Sequence, residues 1–440
     1  MTLPALTVLL ALSARTVTLE EAERAAAAQR PDIRLADANA AAGVARDEQA
    51  RGPLLPQVKI ESLYERTTGN RPQKPGRTNN YANSFDTFNW FDSQVDATQM
   101  IWDFGQTPNR FRAARARAVA LGDSARAARL EAIADVRTAY FRAVAGKSLV
   151  GVARETLANR QRHLEQIRGF VHAGTRPDID LAQAVAEEAN ARVQVIRADN
   201  GYAVARAQLN QAMGTTGGTD YDVADETFPP VPGEGSATDM GPLIDEALHA
   251  RPDLAAMDAQ IKAQELTLRA TRNGYWPTLN LIAGAESEGQ SFEKSRVLNG
   301  FGTATIPYGG MAWNLWGGVQ LTWPIFQGFL TRGQVHEANA TLDGLRAQHD
   351  ALVQQVWVAV EQAALAVRAA REALVASGQA LAGAQARLRM ADGRYAAGVG
   401  SIIELSDAEL AAALAGAQEV GAGYDLATAR AALCLALGRT

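Results

Sequence analysis

Cysteine is nearly absent. Cys434 is the single one in 440 residues, which excludes a disulfide framework and a cysteine-based metal cluster. Histidine is scarce, five residues without the spacing of metal ligands on a helix or a hairpin, and the seven methionines form no cluster that would guide a soft metal. No basic surplus exists: 43 basic against 48 acidic residues leave a net charge of −5, so nucleic acid finds no electrostatic footprint. Lysine is down to five positions against 38 arginines, a bias that reads with the heavy alanine content as genome base composition. No apolar run approaches the ~20 residues of a membrane-spanning helix, which excludes a bundle of such helices. A nucleophile elbow, a phosphate loop and a metal motif are all missing, so the reading is of a non-enzyme with no cofactor and no metal.

What is present is a duplication. Arg30-Pro31-Asp32-Ile33 returns as Arg251-Pro252-Asp253-Leu254, and Leu55-Pro56 as Trp276-Pro277, at an offset of 221. From Ile101-Trp102 against Ile325-Phe326 the offset becomes 224 and holds through Ala173-Gly174 against Ala397-Gly398, Leu181 against Leu405, and Gly214 against Gly438. The period far exceeds the ~20–50 residues of solenoid units. The chain divides into an N-terminal segment 1–17, a first copy 18–214, a linker 215–241 and a second copy 242–440. The linker, rich in Gly, Pro and Asp, reads as an excursion outside the core. Leu3 to Leu12 with Ser13-Ala14 has the form of a secretory apolar region and cleavage site, though Met1 to Ala14 holds no basic residue.

Each copy predicts two short helices, a β-hairpin and two long helices. Thr18 is a plausible N-cap for Leu19 to Gln29, and Asp32 for a helix running to Arg51 before Gly52-Pro53. The hairpins fall at about 56–102 and about 277–325. Val58, Ile60, Ser62 and Tyr64 alternate with Lys59, Glu61, Leu63 and Glu65. From Met311 to Trp323 one face carries Met311, Trp313, Leu315, Val319, Leu321 and Trp323, the other mostly polar or small residues broken by Trp316. The ten steps from Trp313 to Trp323 span about 33 Å at ~3.3 Å per residue, or about 25 Å when tilted, the height of a lipid-facing band between aromatic girdles. By itself the strand fits one face of a soluble sandwich equally well. Polar stretches, Thr68 to Ser84 and Gly289 to Thr305, read as loops joining the hairpin strands.

The long helical hairpins run from about 105 to 214 and from about 328 to 438. No proline lies between Pro108 and Ala173 or after Pro324. Val353, Val360, Val367, Leu374, Leu381, Leu388 and Tyr395 are seven apart, and shifted back by 224 the seam becomes Val136, Ala143, Val150, Leu157, Leu164 and Val171. A sustained heptad means coiled-coil packing, and small companions such as Ala363 and Ala139 permit close approach. Roughly 100 Å of helix, at ~1.5 Å per residue, implies a rod or a tube rather than a globule. The helices reverse at Ala173-Gly174-Thr175-Arg176-Pro177 and at Ala397-Gly398-Val399-Gly400-Ser401, where glycine supplies the left-handed conformation of a helix terminus.

The order of these parts, with the turns GTRPDIDLAQA and GVGSIIELSDA and the strand-to-helix junctions IWDFGQT and WPIFQGFLT, resembles the TolC family of outer-membrane channels from about Thr18 to Gly438. The resemblance implies an α+β membrane protein, mostly α, in which each chain gives four strands. Three chains then close a 12-stranded outer-membrane β-barrel continued by a periplasmic coiled-coil α-helical barrel. It implies a homotrimer in outer-membrane lipid, a passive exit duct for efflux or type I secretion, with a periplasmic adaptor (membrane fusion) protein and an inner-membrane transporter as partners and no nucleic acid. Lone sheet edges in hydrocarbon are not viable, which agrees with a closed oligomer. The alternative is a soluble structural coiled-coil protein, which has no use for the Trp-bounded strand.

By the same resemblance the turns form the periplasmic tip, and Gly174, Thr175, Arg176, Gly398, Val399 and Gly400 carry adaptor docking. Glu404 and Asp407, three apart on one helix face, would form carboxylate rings at the aperture, with Arg176 and Arg394 as ion-pair partners in a closed state. Glu404 stands where the family usually has aspartate. Asp180 reads equally as part of that aperture or as a first-turn acid offsetting the helix dipole, worth ~0.3–1 kcal/mol, and Asp178 as the latter. His172 reads as a solvated surface histidine. Trp313 and Trp323 are the expected membrane girdle. Cys434, on an apolar helix face, reads as buried packing and not as the lipid-anchoring cysteine of some relatives, so the chain is expected to be unlipidated.

Overall fold

A computed structural model describes residues 15–68, 87–232, 234, 240–291, 295–299, 302–306 and 309–439. The apolar leader expected at the N-terminus and the Thr68 to Ser84 loop therefore lie outside the described residues, apart from the backbone of Thr68.

The chain begins with β1 (Arg15–Val17), α1 (Leu19–Gln29) and α2 (Pro31–Arg51). Thr18 caps α1 in a full capping box: its hydroxyl accepts from the Glu21 amide while Glu21 accepts from the Thr18 amide. Asp32 sits inside the first turn of α2 instead of capping it, because Pro31 already occupies a helical position and the Asp32 carboxylate is held by Arg30. Then come β2 (Gln57–Thr68), β3 (Thr87–Trp102), α3 (Gln106–His172) and α4 (Asp178–Met213). After β4 (Tyr221–Val223) the order recurs: α5 (Gly241–Ala250), α6 (Pro252–Arg272), β5 (Thr278–Ser291), β8 (Gly309–Thr322), α7 (Leu330–Ala396) and α8 (Ile402–Ala436). Between β5 and β8 the structure places a small antiparallel pair, β6 (Ser295–Asn299) and β7 (Gly302–Ile306). That corrects the loop expected over Gly289 to Thr305: β5 runs on to Ser291, and backbone pairing resumes in two five-residue strands too short to show a period of two among mixed polar and apolar residues.

Two compact units emerge, and neither is one copy of the repeat. One gathers the described parts of Met1–Ala41, Ala120–Asp258 and Ala347–Thr440; the other gathers Ala42–Val119 and Ala259–Arg346. In the first unit the heptad seam is the core. Val136, Ala143, Val360, Val367 and Tyr395 are at most 1% exposed, and the aromatic end of the seam packs with Leu164, Ile167 and Leu405. Cys434 is buried in the main cluster, and that burial pushes its thiol above the usual range. The segment read as a linker outside the core is in part core. β4 pairs in parallel with β1, and Tyr221, Val223, Phe228 and Val231 are all buried. Its Gly and Pro content set the turns, while a few large apolar residues, diluted in that composition, do the packing.

The repeated Arg-Pro-Asp motif has a defined mechanical role in this unit. Arg30 holds Asp32 through two nitrogens and donates to the Ala132 and Ala212 carbonyls, the latter near the end of α4. Arg251 does the same with Asp253 and the Ala436 carbonyl, the last residue of α8. A charged fork thereby satisfies helix-terminal carbonyls. Gly214 and Gly438 end those two helices with φ of 71° and 72°, each against the backbone of the corresponding arginine segment.

The second unit is built on an antiparallel sheet of order β2-β3-β5-β8. Its register puts Ile60, Val95, Ala285 and Leu315 in one row and Glu61, Gln94, Glu286 and Asn314 in the next. One face is thus apolar and exposed, with Ile60 72%, Leu315 68% and Trp313 77% accessible. The other carries Glu61, Glu65, Asp92, Asp96, Glu286 and Glu288 with Lys59. Trp316, the break in the alternation, lies on this polar face directly over Gly284, where an added Cβ would stand 2.5 Å from the indole ring. The strand-to-helix junctions each use two consecutive left-handed residues, Phe104-Gly105 and Gly328-Phe329. Phe104 is held there by stacking on Trp276 at 5.3 Å between centroids.

Candidate functional site

Both helix reversals close by the same chemistry. In the first, the Thr175 amide donates back to the Phe170 carbonyl and the Gly174 amide to Val171, with Gly174 at φ 73°. In the second, the Val399 amide donates to Arg394 and the Gly398 amide to Tyr395, with Gly398 at φ 78°. These pairs are Schellman closures, which require the glycine. Gly400 is needed for room: a Cβ there would lie 3.0 Å from the Tyr395 nitrogen.

The two turns are tied to each other. Arg176 donates to the Gly400 carbonyl at 3.4 Å and places its guanidinium over the Tyr395 ring at 4.7 Å from the centroid. Arg176 was expected to pair with an aperture acid; in this arrangement its fork is engaged by an aromatic face and a carbonyl instead. Arg394 does take the acidic partner, its Nε standing 3.4 Å from Glu404. Glu404 also donates its amide to the Ser401 hydroxyl, the N-cap of α8. Asp407 is exposed one turn on, whereas Asp180 is buried at 8% accessibility. Thr175 and Val399 stand out at the turns and His172 and Asp178 are exposed.

Further along the same four helices lies an ionic cluster that sequence reasoning missed. Arg160 of α3 bridges Glu187 of α4, at 2.5 Å, and Glu409 of α8. Ser406 of α8 donates to Glu187 at 2.5 Å, and Gln183 to the same carboxylate at 3.0 Å. His163, one turn beyond Arg160, puts Nδ1 against Glu409 and Nε2 3.2 Å from Asp392 of α7. The Glu409 side chain is only 3% exposed. The Glu409 carboxylate against the ring raises the His163 value, opposed by burial and reinforced by the charge of Asp392. The available signal was positional: His163 directly precedes seam residue Leu164, and Glu409 follows Ala408, which is 0% exposed. A charge next to an apolar seam is placed at the helix contact, but only the fold shows which charges meet.

Beside this cluster, α3, α4 and α8 line a groove of about 940 Å³. Among the described residues no helix is long and apolar enough to cross a membrane, and no set of side chains could hold a metal ion.

Comparison with known proteins sets this geometry in context. The sequence description of the outer membrane efflux protein family matches residues 24–215 and again 243–439. The toluene efflux pump outer membrane protein TtgF of Pseudomonas putida is 24% identical over 319 residues, 72% of this chain. The match covers 63% of TtgF, so the chain spans under two thirds of that relative's length. Outer membrane protein TolC of Escherichia coli (strain K12) is 23% identical over 385 residues, 86% of this chain and 73% of that one. Among solved structures, CusC superposes with a TM-score of 0.78 at 19% identity, over 96% of this chain and 92% of that one. The MtrE outer membrane channel of Neisseria gonorrhoeae, in its open state, gives 0.73 at 21% identity over 96% and 89%. These likenesses establish a TolC-like fold.

Proposed function

The chain belongs to the outer membrane efflux protein family and is an outer-membrane protein, and from that premise we propose that three copies form a passive exit duct through that membrane, serving a tripartite efflux pump or a type I secretion system. The observation that carries this is the four-stranded sheet. It exposes an apolar face bounded by Trp313 and Trp323, leaves β2 and β8 as open edges, and runs through β3 into α3, a 67-residue helix. An edge presents a row of unpaired amides and carbonyls, which hydrocarbon does not tolerate. Closing twelve strands from three chains removes every edge and turns the Glu- and Asp-bearing face toward a water-filled lumen.

In this reading the two copies, 18–214 and 242–440, are the repeat units, and the helix turns are the periplasmic end. Gly174, Thr175, Arg176, Gly398, Val399 and Gly400 offer a rigid glycine-closed surface to an adaptor protein, behind which stands an inner-membrane transporter. Glu404 and Asp407, repeated by a three-fold axis, place carboxylates around the aperture, and the Arg394–Glu404 pair at 3.4 Å is the kind of contact that latches such an aperture. Asp180 lies in the first turn of α4 and is buried, which favours the helix-dipole role over the aperture.

Reconstitution in planar bilayers tests this. The purified protein should require detergent, run as a trimer and conduct ions. Glu404→Ala with Asp407→Ala should change conductance and cation preference. Unchanged currents would remove the aperture assignment and leave the duct; a compact monomer dispersed without detergent would remove the duct.

A further inference from the structure

We propose that His163 is a pH-dependent clamp that holds the four long helices together just behind the aperture and releases them as the pH rises. The proposal concerns regulation and rests on the duct reading given above. Both ring nitrogens of His163 face carboxylates: Nδ1 faces Glu409 of α8, and Nε2 stands 3.2 Å from Asp392 of α7. Only the imidazolium has a proton on each nitrogen. A neutral ring donates to one acid and turns a lone pair toward the other, so the charged form alone ties α3 to both α7 and α8.

The other charges facing this ring come from every helix of the group. Arg160, on α3 with His163, contacts Glu409 of α8 and Glu187 of α4, and Ser406 of α8 hydrogen-bonds Glu187. The void lined by His163, Glu187 and Glu409 measures about 10 Å³, at the lower limit for a single water. On the Glu409 side, where the carboxylate is 3% exposed, there is no room for solvent to replace the imidazolium when it loses its proton, and Glu409 is left with Arg160, which it shares with Glu187. The neutral state is consequently short of one cation at a buried carboxylate, a deficit relieved by moving α8 away from α3.

The direction follows from the contacts. Glu409 and Asp392 raise the folded-state value of His163 above the ordinary ~6.5. The clamp's contribution is complete below about 6.5 and disappears as the pH climbs through the raised folded value. An acid environment keeps the helix ends together, and an alkaline one loosens them.

Two measurements on the intact trimer between pH 5.5 and 8.5 decide the matter. Hydrogen exchange, corrected for the intrinsic rate, should show segments 160–170 and 402–412 losing protection with rising pH by up to about tenfold per pH unit. Single-channel open time should rise over the same range. In His163→Gln both profiles should be flat. Asp392→Asn, which alters a carboxylate 50% exposed to solvent, should move the wild-type midpoint to lower pH. A wild-type protection profile that is flat, or a His163→Gln profile that still follows the wild type, overturns the clamp. If the wild type shows the protection change yet no current at any pH, the duct reading fails and the clamp stands.

Discussion

Replacing Arg251 by methionine removes a fork that does two jobs. Its Nη2 and Nε bind Asp253 at 2.6 and 3.0 Å, and its Nη1 donates to the Ala436 carbonyl at 3.2 Å. Hydrogen bonds involving a charged group contribute about 1.5–3 kcal/mol, and a cation at a helix C-terminus about 0.3–1 kcal/mol. With the arginine and aspartate side chains 19% and 29% exposed, solvent reduces these figures, and the net loss is about 2–3 kcal/mol. For 440 residues the unfolding entropy is about 0.9 kcal/mol per kelvin, so the expected fall in Tm is about 2–3 °C. Burial pushes the Asp253 carboxyl up, but Arg251 outweighs it and holds the group below its ordinary value. Such a group adds stability above about pH 4, which is lost as the pH drops through the depressed folded value. The deficit of Arg251→Met should therefore shrink in strong acid. Arg251→Lys should recover little, since an ammonium lacks the fork. Thermal melts in detergent at pH 7 and pH 3 check this. A deficit of equal size at both, or a lysine variant as stable as wild type, would refute the assigned role.

Two further expectations come from backbone and membrane physics. Gly214→Ala should destabilise far more than Gly174→Ala, although their φ values are 71° and 73°. Both incur the left-handed strain of about 1–2 kcal/mol, but only at position 214 would the new Cβ stand 2.8 Å from the Arg30 backbone. Comparative melts that rank the two equally would contradict the packing described. Leu315→Arg, on the apolar face, should cost about 2–4 kcal/mol at mid-membrane and hinder insertion into liposomes, whereas Asn314→Arg on the opposite face should insert normally. Equal insertion of both would reverse or abolish the lipid-facing assignment.

Much of the candidate site was legible in the chain. Glycine at 174 and 398 fixes where the helices turn, because no other residue takes that conformation at little cost. The Arg394–Glu404 contact was within reach, since both lie within about two helical turns of one reversal. Arg176 was placed at the tip but not with its partner: it caps the opposite turn through Gly400 and lies on Tyr395, contacts that sequence distance of over 200 residues conceals.

Sequence alone determined the duplication, the alternation of the strands and the seven-residue seam, since each is a periodicity imposed by local backbone geometry and burial. Tertiary structure alone decided the rest. It showed that Tyr221, Val223, Phe228 and Val231 of a turn-rich segment join the core, that Trp316 fits a polar face because Gly284 leaves space, and that Arg160, His163, Glu187, Asp392 and Glu409 converge from four helices. Those are long-range contacts between single residues, and a short-range pattern contains no term for which distant charge will lie opposite.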